Sequence, residues 1–361
     1  FVFAFALALR LSVPFRTPSF VHRCLERFHL TDNDTMQRAI RGVCLNTRKL
    51  DYSSQALNWS RLSTACQSSF MKCDVPAGSS PEAIKELCGD VDVLVVKEMT
   101  MDRAVVLSLP PSIQLICEAG TGFNNIDLEA CNERGIKVAN VADYSSDSVA
   151  TLVMTAILNF SASVLPIAAQ TQDEFVSPGG VQMPLFELAG KSLGLVGGNG
   201  TIGRKVTKLA RAFNLNVLVS SRSGRVSEGQ VAVSMDELLR QSDFVSLHCP
   251  LTPQTTKLMG AEQFKAMKPT SYLVNTARGA IIDEEALVGA LQSKSIAGAF
   301  LDVQVNEPPP LGDPLYTTPN LYLTPHIGWQ RQEARQRVID LVADNIEHFF
   351  APDKENLNIV N

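Results

Sequence analysis

Short apolar runs alternate with segments of helical period along most of the chain after Met36, which is the pattern of parallel sheets crossed by helices. The first series predicts strands at Ile40–Leu45, Val91–Val96, Ile113–Cys117 and Ile136–Val141. Between and after these strands we expect helices at Pro81–Leu87, Asp127–Arg134 and Val149–Phe160. Ser146 or Asp147 is the expected N-cap of the last of these helices. The segment Asp173–Leu188, with its Pro and paired Gly, predicts a loop at a domain edge.

A second and longer series begins at Ser192. It predicts strands at Leu193–Val196, Val217–Ser220, Phe244–His248, Tyr272–Asn275, Ala297–Val303 and Leu321–Thr324. It predicts helices at Ile202–Phe213, Met235–Gln241, Ala261–Met267, Glu284–Leu291 and Glu333–Phe350. Five or six strands joined by helices indicate a doubly wound domain. The fold class is therefore α/β, with two doubly wound parallel-sheet domains, the first completed by the C-terminal helix.

The predicted boundaries place residues 36–142 and 325–361 in one domain and residues 143–324 in the other. Residues 1–35 differ from both, because the stretch opens with the apolar run FVFAFALALRL and carries few acids. This segment is either a targeting sequence or an extraneous extension, and the two readings have equal weight. The location that follows is cytoplasmic, or organellar if the segment is a transit sequence.

Composition narrows the class of partner. The chain has 361 residues, a net charge of −5, 45% hydrophobic residues and 19% charged residues, which is ordinary for a globular protein. The charge balance argues against nucleic acid, and no other run is long enough to cross a membrane as a helix. The eight cysteines form no C-x-x-C pair, so we expect no metal site.

A glycine-rich turn directly follows the predicted strand Leu193–Val196 and precedes an amphipathic helix. Gly198, Gly200 and Gly203 satisfy G-x-G-x-x-G, the dinucleotide-binding pattern, and Thr201 and Ile202 lie at the start of the helix, where free N–H groups bind phosphate. The alternative is a glycine-rich turn without a ligand. The loop is one residue longer than usual between Gly197 and Gly203.

The end of the next strand bears on cofactor choice. In the usual pattern an acid there binds the ribose 2′-hydroxyl, but this chain has Ser221 followed by Arg222. A hydroxyl and a guanidinium suit a 2′-phosphate better than a free diol, so NADP(H) is favoured and NAD(H) remains possible. The alternative is that Arg222 faces solvent and does not contact the cofactor.

Three further segments lie at predicted strand ends, where open α/β sheets bind ligands: Val274–Gly279, Asp302–Pro308 and Leu323–Trp329. Together with the glycine loop, with Glu118–Asp127 and with Tyr144–Ala150, their order closely resembles the D-isomer-specific 2-hydroxyacid dehydrogenases. The resemblance extends from Ile40 to Asn361. It implies a Rossmann NAD(P)-binding domain and a flavodoxin-like substrate domain.

The resemblance also implies roles for single residues. The catalytic Arg, Glu and His of the family fall on Arg278, Glu307 and His326. His326 would protonate the carbonyl oxygen of a 2-oxo acid, Glu307 would orient the ring, and Arg278 would bind the substrate carboxylate. Each residue also has a structural reading as a turn histidine, a solvated acid or a loop cap.

Other positions follow from the same resemblance. Asp302 would hold the nicotinamide carboxamide, and Thr276 would contact the cofactor. Met99 and Thr100, in the loop Lys97–Thr100, and Gly122 would contact substrate.

The segment Trp329–Arg337 is most similar to the glycerate dehydrogenase and hydroxypyruvate reductase branch, which implies hydroxypyruvate or glyoxylate as substrate. A homodimer is expected through Ser146–Gln170, which is apolar on more sides than a surface helix. The alternative from another functional class is a nucleotide-sensing co-repressor on the same fold.

Overall fold

The computed structural model describes residues 39–52, 56–67, 69–76, 78–169, 184–351 and 358–361, and Ile40–Asn361 forms one compact unit. The predicted N-terminal segment 1–35 and most of the predicted loop Asp173–Leu188 lie outside the described residues.

The first sheet has five strands, all parallel to their neighbours, in the order β2-β1-β3-β4-β5. Its strands are β1 (Arg41–Cys44), β2 (Ser69–Lys72), β3 (Val93–Val96), β4 (Leu115–Glu118) and β5 (Lys137–Ala139). Its helices are α1 (Thr47–Leu50), α2 (Ser60–Ala65), α3 (Pro81–Cys88), α4 (Arg103–Ser108) and α5 (Leu128–Glu133). Side-chain caps start three of them: Ser80, Asp102 and Asp127 accept from backbone N–H groups of α3, α4 and α5. This strand order is the flavodoxin-like one.

The second sheet has seven parallel strands in the order β12-β11-β10-β9-β6-β7-β8. Its strands are β6 (Ser192–Val196), β7 (Asn216–Ser220), β8 (Val231–Ala232), β9 (Phe244–Leu247), β10 (Tyr272–Asn275), β11 (Gly298–Leu301) and β12 (Leu321–Leu323). The remaining helices are α6 (Ser146–Ala162), α7 (Val164–Ala168), α8 (Thr201–Ala212), α9 (Met235–Gln241), α10 (Ala261–Ala266), α11 (Glu284–Gln292) and α12 (Gln332–Phe350). Reading outward from β6, the order is the Rossmann one with an added edge strand. The predicted fold class is confirmed.

Each sheet has an apolar core on both faces. The central strands β3, β4, β9 and β10 are buried along their full length, as expected for parallel strands covered on both sides. The C-terminal helix α12 packs on α2 and β4, so it adds its buried Val338 and Val342 to the core of the first sheet. The assignment of residues 36–142 with 325–361 and of 143–324 to two domains stays a prediction.

Sequence reasoning failed at the edges. The strand β2 was not predicted, because its residues are only half-buried and form no apolar run, and the two exposed residues of β8 gave no signal either. The expected cap of α6 was wrong: the helix begins at Ser146, and Ser145 is its N-cap residue, with no side-chain cap bond.

The apolar residues of α6 need a different explanation from the one the sequence suggested. Ala150, Val153, Met154 and Ile157 are buried within the chain, in the core that α6 forms with α8 and the second sheet. The helix is apolar on several sides because this core surrounds it, and not because a partner must cover it. Exposed apolar side chains occur instead near its end and in α7, at Leu158, Val164 and Leu165.

Candidate active site

A tight turn after β12 carries His326. The histidine has a positive φ of 53°, in the left-handed region that non-glycine residues seldom adopt. Its backbone N–H donates to the Asp302 carbonyl oxygen at 2.9 Å. The Asp302 carboxylate accepts from the Thr324 hydroxyl at 2.6 Å and from the backbone N–H groups of Ile327 and Gly328 at 2.8 Å each. These bonds fix the unusual backbone of His326.

Asp302 is 1% exposed, and burial raises the pKa of its carboxyl although the three donors oppose the shift. The residue was expected to hold a nicotinamide carboxamide. The structure gives it a different task that the sequence did not indicate, namely to anchor the turn that carries His326. The carboxamide contact stays a prediction.

Glu307 and His326 form a hydrogen-bonded pair. The Glu307 Oε2 atom lies 2.7 Å from Nδ1 of His326, and its Oε1 atom accepts from the backbone N–H of Gln304 at 3.1 Å. Because Nδ1 is bound to the carboxylate, Nε2 is the ring nitrogen left for proton transfer to a substrate. A ring held in this way is able to carry a proton on Nε2 and to release it.

Arg278 follows β10 and lies against Gly122, which belongs to the loop after β4. A Cβ atom built on Gly122 would lie 1.6 Å from Nη2 of Arg278, so the guanidinium occupies the space that any other side chain would need. Nη1 donates to the Ala277 carbonyl oxygen at 2.7 Å, and the Asn275 amide donates to the Arg278 carbonyl oxygen at 2.8 Å. The loops after β4 and β10 thus bring two predicted site residues into contact.

The loop of Arg278 also contacts the loop of Glu307. A Cβ atom on Gly279 would lie 2.0 Å from the Gln304 carbonyl carbon, a distance that only glycine permits. Because Gln304 also donates to Glu307, the segments bearing Arg278 and Glu307 are held together at one edge of the second sheet.

The glycine loop joins β6 to α8. Gly197 has a φ of +79° and makes the turn, with Cys249 against it. Gly198 and Gly203 pack closely, since a Cβ on Gly203 would lie 2.2 Å from the Gly198 carbonyl oxygen. Gly200 is open: the nearest atom to a Cβ there is 3.8 Å away. No side chain caps α8, so the N–H groups at Thr201 and Ile202 are available to an anion.

This cradle fits a dinucleotide. Thr276, at the end of β10, gives a second observation, because its buried hydroxyl oxygen has no hydrogen-bond partner within the described part of the chain. Within the loop, Asn199 donates to the Ser223 hydroxyl at 3.3 Å, so the loop is tied to the segment after β7. The expected extra residue between Gly197 and Gly203 stays a prediction.

Ser221 and Arg222 lie just after β7, in a turn that Gly224 completes with a φ of +64°. The Ser221 hydroxyl donates to the Arg225 carbonyl oxygen at 3.2 Å. Arg222 and Arg225 are both exposed, and among the described residues neither forms an ion pair. Two cations thus stand at the position where an acid would bind a ribose diol.

The loop after β3 holds the two predicted substrate contacts of the first sheet. Met99 is 7% exposed, and its carbonyl oxygen accepts from the Asn125 amide at 2.8 Å, whereas Thr100 is exposed. The same amide group donates to Oε2 of Glu118 at 2.9 Å. Asn125 thus braces this loop against the segment that carries Gly122, a role that sequence reasoning missed.

Sequence reasoning also missed a charged cluster beneath this loop. Lys97 is 2% exposed and Glu118 is 1% exposed. The Lys97 ammonium lies 3.9 Å from the centre of the Trp329 ring and 3.5 Å from the Tyr144 hydroxyl. Burial raises the pKa of Glu118 to about 7 against the attraction of Lys97. The signal was present, since each charge directly ends an apolar run, Val93–Val96 or Leu115–Cys117.

The described ranges show neither a candidate metal centre nor a candidate membrane-spanning helix. No three His, Cys, Asp or Glu side chains there are grouped so as to bind a metal ion. Among those same residues, no helix combines the length and hydropathy that crossing a bilayer requires.

Comparisons with known proteins agree with this geometry. Residues 154–328 match the model of the D-isomer specific 2-hydroxyacid dehydrogenase, NAD binding domain. The chain is 34% identical over 287 residues to a glycerate dehydrogenase of Methylorubrum extorquens, covering 77% of this chain and 88% of that one. It is 32% identical over 332 residues to a hydroxypyruvate reductase of Blautia hydrogenotrophica, covering 89% and 98%. A glyoxylate reductase structure from Paecilomyes thermophila aligns with a TM-score of 0.74 at 30% identity, over 89% and 98% of the two chains.

Proposed function

This chain belongs to the D-isomer specific 2-hydroxyacid dehydrogenase family, and on that premise we propose that it reduces hydroxypyruvate or glyoxylate with NADPH favoured over NADH. The family makes it an NAD(P)-dependent oxidoreductase. The observation that carries the proposal is the pairing of His326 with Glu307 on a turn anchored by Asp302, at the sheet edge where Arg278 is seated on Gly122.

Each of these side chains has one step to perform. Arg278 binds the substrate carboxylate through parallel N–H donors and polarises the adjacent carbonyl group toward its oxygen. His326 donates the proton on Nε2 to the carbonyl oxygen, and Glu307 holds Nδ1 and so orients the ring. The nicotinamide, when bound, supplies the hydride. Thr201, Ile202 and Gly200 would hold its pyrophosphate, with Thr276 adding a hydroxyl.

The substrate rests on the relatives and on the segment Trp329–Arg337. Both curated relatives act, by name, on three-carbon 2-oxo or 2-hydroxy acids, and the aligned structure is a glyoxylate reductase. The test is a panel of 2-oxo acids followed by nucleotide absorbance with each cofactor. We expect turnover with hydroxypyruvate and glyoxylate. Nucleotide binding without turnover of any 2-oxo acid would instead favour the co-repressor alternative.

The cofactor preference rests on the end of β7. Ser221, Arg222 and Arg225 offer a 2′-phosphate two cations and no repelling acid. We expect kcat/KM to be higher with NADPH and the preference to fall as ionic strength rises, because these contacts are exposed to solvent. Ser221→Asp adds a charge beside the phosphate and should move the preference toward NADH, whereas Ser60→Asp, at an exposed position in the first turn of α2, is the matched control. A wild-type ratio that favours NADH would refute the preference.

The oligomeric state is a further part of the proposal. A homodimer through Ser146–Gln170 is supported by the exposed apolar side chains at its C-terminal end, among them Val164 at 57% and Leu165 at 55%. Light scattering at micromolar concentration should give twice the chain mass. A monomer mass would contradict the dimer, and Val164→Glu with Leu165→Glu should dissociate it.

A further inference from the structure

Glu98 is the one residue of the loop Lys97–Thr100 whose charged side chain reaches solvent. Its backbone has a positive φ of 49°, and its side chain is 25% exposed. The loop follows β3 at the carboxyl edge of the first sheet, where parallel α/β sheets bind their ligands. The positive φ fixes the direction in which the Glu98 side chain leaves the backbone.

The Glu98 carboxylate is ionised near neutral pH. Burial opposes its ionisation, but the charges of Lys97, His326 and Lys49 outweigh this effect and hold its pKa below the usual value. Oε1 lies 3.2 Å from the Lys97 ammonium, and Oε2 lies 3.6 Å from that of Lys49. The neighbouring Lys97 ammonium lies 3.9 Å from the centre of the Trp329 ring, three residues after His326, so the loop lies beside the segment that carries the proposed proton donor.

The two lysines that pair with Glu98 differ from it in how they meet a ligand. Lys97 is 2% exposed, its ammonium lies over the Trp329 ring, and no incoming ligand reaches it. Lys49 has a side chain that is 55% exposed, so water and salt screen its charge. A ligand can therefore contact the Glu98 carboxylate directly, whereas Lys97 acts on that ligand only at a distance.

The loop is also fixed relative to Arg278. The backbone N–H of Glu98 donates to Oε1 of Glu118 at 3.4 Å. Four residues after Glu118 comes Gly122, on which the Arg278 guanidinium lies. Glu98 and Arg278 are therefore both held against the short segment Glu118–Gly122, so a substrate whose first carboxylate binds Arg278 would extend beside the loop of Glu98.

We propose that Glu98 determines substrate specificity by accepting a hydrogen bond from a hydroxyl on the third carbon of a 2-oxo acid and by repelling a second negative charge at that position. This inference rests on the proposed function and names a substrate class within it: monoanionic, 3-hydroxylated acids are accepted, and dicarboxylic or phosphorylated ones are rejected. A hydroxyl donates to a carboxylate in a strong, charge-assisted bond, whereas two anions at contact distance repel.

Two stable ligands of nearly equal size isolate the effect. D-Glycerate carries a CH2OH group where tartronate carries a second carboxylate, and both are tested as inhibitors of glyoxylate reduction. In the wild type the inhibition constant of tartronate should exceed that of D-glycerate. Glu98→Gln keeps the shape of the side chain and removes its charge, and it should lower the ratio of the two constants about ten-fold. Glu98→Asp keeps the charge and should preserve the sign of the preference.

The matched control is Glu133→Gln. It removes the same charge from a surface pair, in which Glu133 Oε2 lies 2.6 Å from Arg103, and it should leave the ratio of inhibition constants as in the wild type. A ratio in Glu98→Gln equal to that of the wild type would overturn the proposal and leave Glu98 as a partner of Lys97 only. A shift of the same size in Glu133→Gln would overturn it as well, because the effect would then be one of total charge.

A measurement on the unmutated protein does not depend on any variant folding. Raising the salt concentration from about 0.05 M to about 0.5 M shortens the screening length and should lower the ratio of inhibition constants, because only tartronate is repelled. A ratio that does not change with salt overturns the proposal. Failure of the proposed function itself would look different: the wild type would then reduce neither glyoxylate nor hydroxypyruvate with either nucleotide.

Discussion

The two sheets differ in where their ionisable side chains lie at the edges next to the candidate site. In the seven-stranded sheet the buried Asp302 is surrounded by three donors, and His248 is kept neutral because burial lowers its pKa to about 4. Its cations Arg222 and Arg225 lie at the surface. In the five-stranded sheet, the ionisable side chains of Lys97 and Glu118 are buried beside the loop that follows β3.

This difference follows from what each half has to bind. A dinucleotide is recognised through backbone N–H groups and a helix terminus, so the strands beneath it need no charge of their own. A small 2-oxo acid offers few atoms, and its discrimination depends on charged groups fixed in a dry environment. The proposed reacting groups Arg278, Glu307 and His326 follow strands of the seven-stranded sheet, whereas the proposed specificity residue Glu98 follows a strand of the five-stranded one.

The largest effect expected from this division is at His326. His326→Asn removes the proton donor and leaves the glycine loop intact, so kcat should fall about 1000-fold or more while nucleotide affinity is kept. Steady-state kinetics together with a fluorescence titration of the nucleotide measure the two quantities separately. His348→Asn, at an exposed position in the last turn of α12, is the matched control. Near-normal kcat in His326→Asn would remove this residue from the mechanism.

A smaller effect is expected where the two halves meet, at Gly122. In Gly122→Ala the new Cβ would lie 1.6 Å from Nη2 of Arg278, so the guanidinium has to move away from its present position. Displacement of a substrate-binding group by about 1 Å is enough for a loss of about 100-fold in kcat/KM for the 2-oxo acid. Nucleotide affinity should fall much less than kcat/KM, because the glycine loop lies after β6 and the displaced guanidinium after β10.

The control for that substitution is Gly289→Ala. Gly289 lies in α11 with open space where a Cβ would be placed, so alanine there should leave the kinetics unchanged. If Gly122→Ala retained wild-type kcat/KM, the contact between Gly122 and Arg278 would have no part in substrate binding, and the two halves would act independently.

The comparison also shows what sequence can and cannot predict. The central strands of the seven-stranded sheet were predicted within a residue or so, because buried parallel strands contain apolar runs such as Tyr272–Val274. The edge strand Ser69–Lys72 has no such run and was missed. Glycine spacing revealed the dinucleotide loop because backbone geometry dictates residue type there.

Side-chain contacts across the fold were beyond the reach of sequence. The seat of Arg278 on Gly122 joins residues 156 positions apart, and neither residue type signals the contact. The second role of Asp302 depends on three donors from the turn after β12, which only the folded chain brings together. Lys97 and Glu118 did leave a trace, as charges that end apolar runs, but a charged residue at a strand end is more often exposed than buried.

The smallest predicted effects are on stability, and they have opposite signs in the two halves. Burial raises the pKa of Glu118 from 4.5 to about 7, so the folded state favours its protonated form. The stability that this carboxyl contributes is present below about pH 4.5 and is lost as pH rises toward 7. Burial lowers the pKa of His248 from 6.5 to about 4, so its contribution is present above about pH 6.5 and is lost as pH falls toward 4.

Calorimetry of two variants between about pH 4.5 and pH 8 separates these contributions. Glu118→Gln should gain thermal stability relative to the wild type as pH rises through this range, whereas His248→Gln should gain it as pH falls, each by a few degrees. Glu262→Gln, at an exposed position in the first turn of α10, removes a surface carboxylate and should run parallel to the wild type. Parallel curves for Glu118→Gln as well would mean that this carboxyl titrates alike in the folded and unfolded chains. In that case burial would not shift the pKa of Glu118, and the proposed difference in buried ionisable groups between the two sheets would not hold.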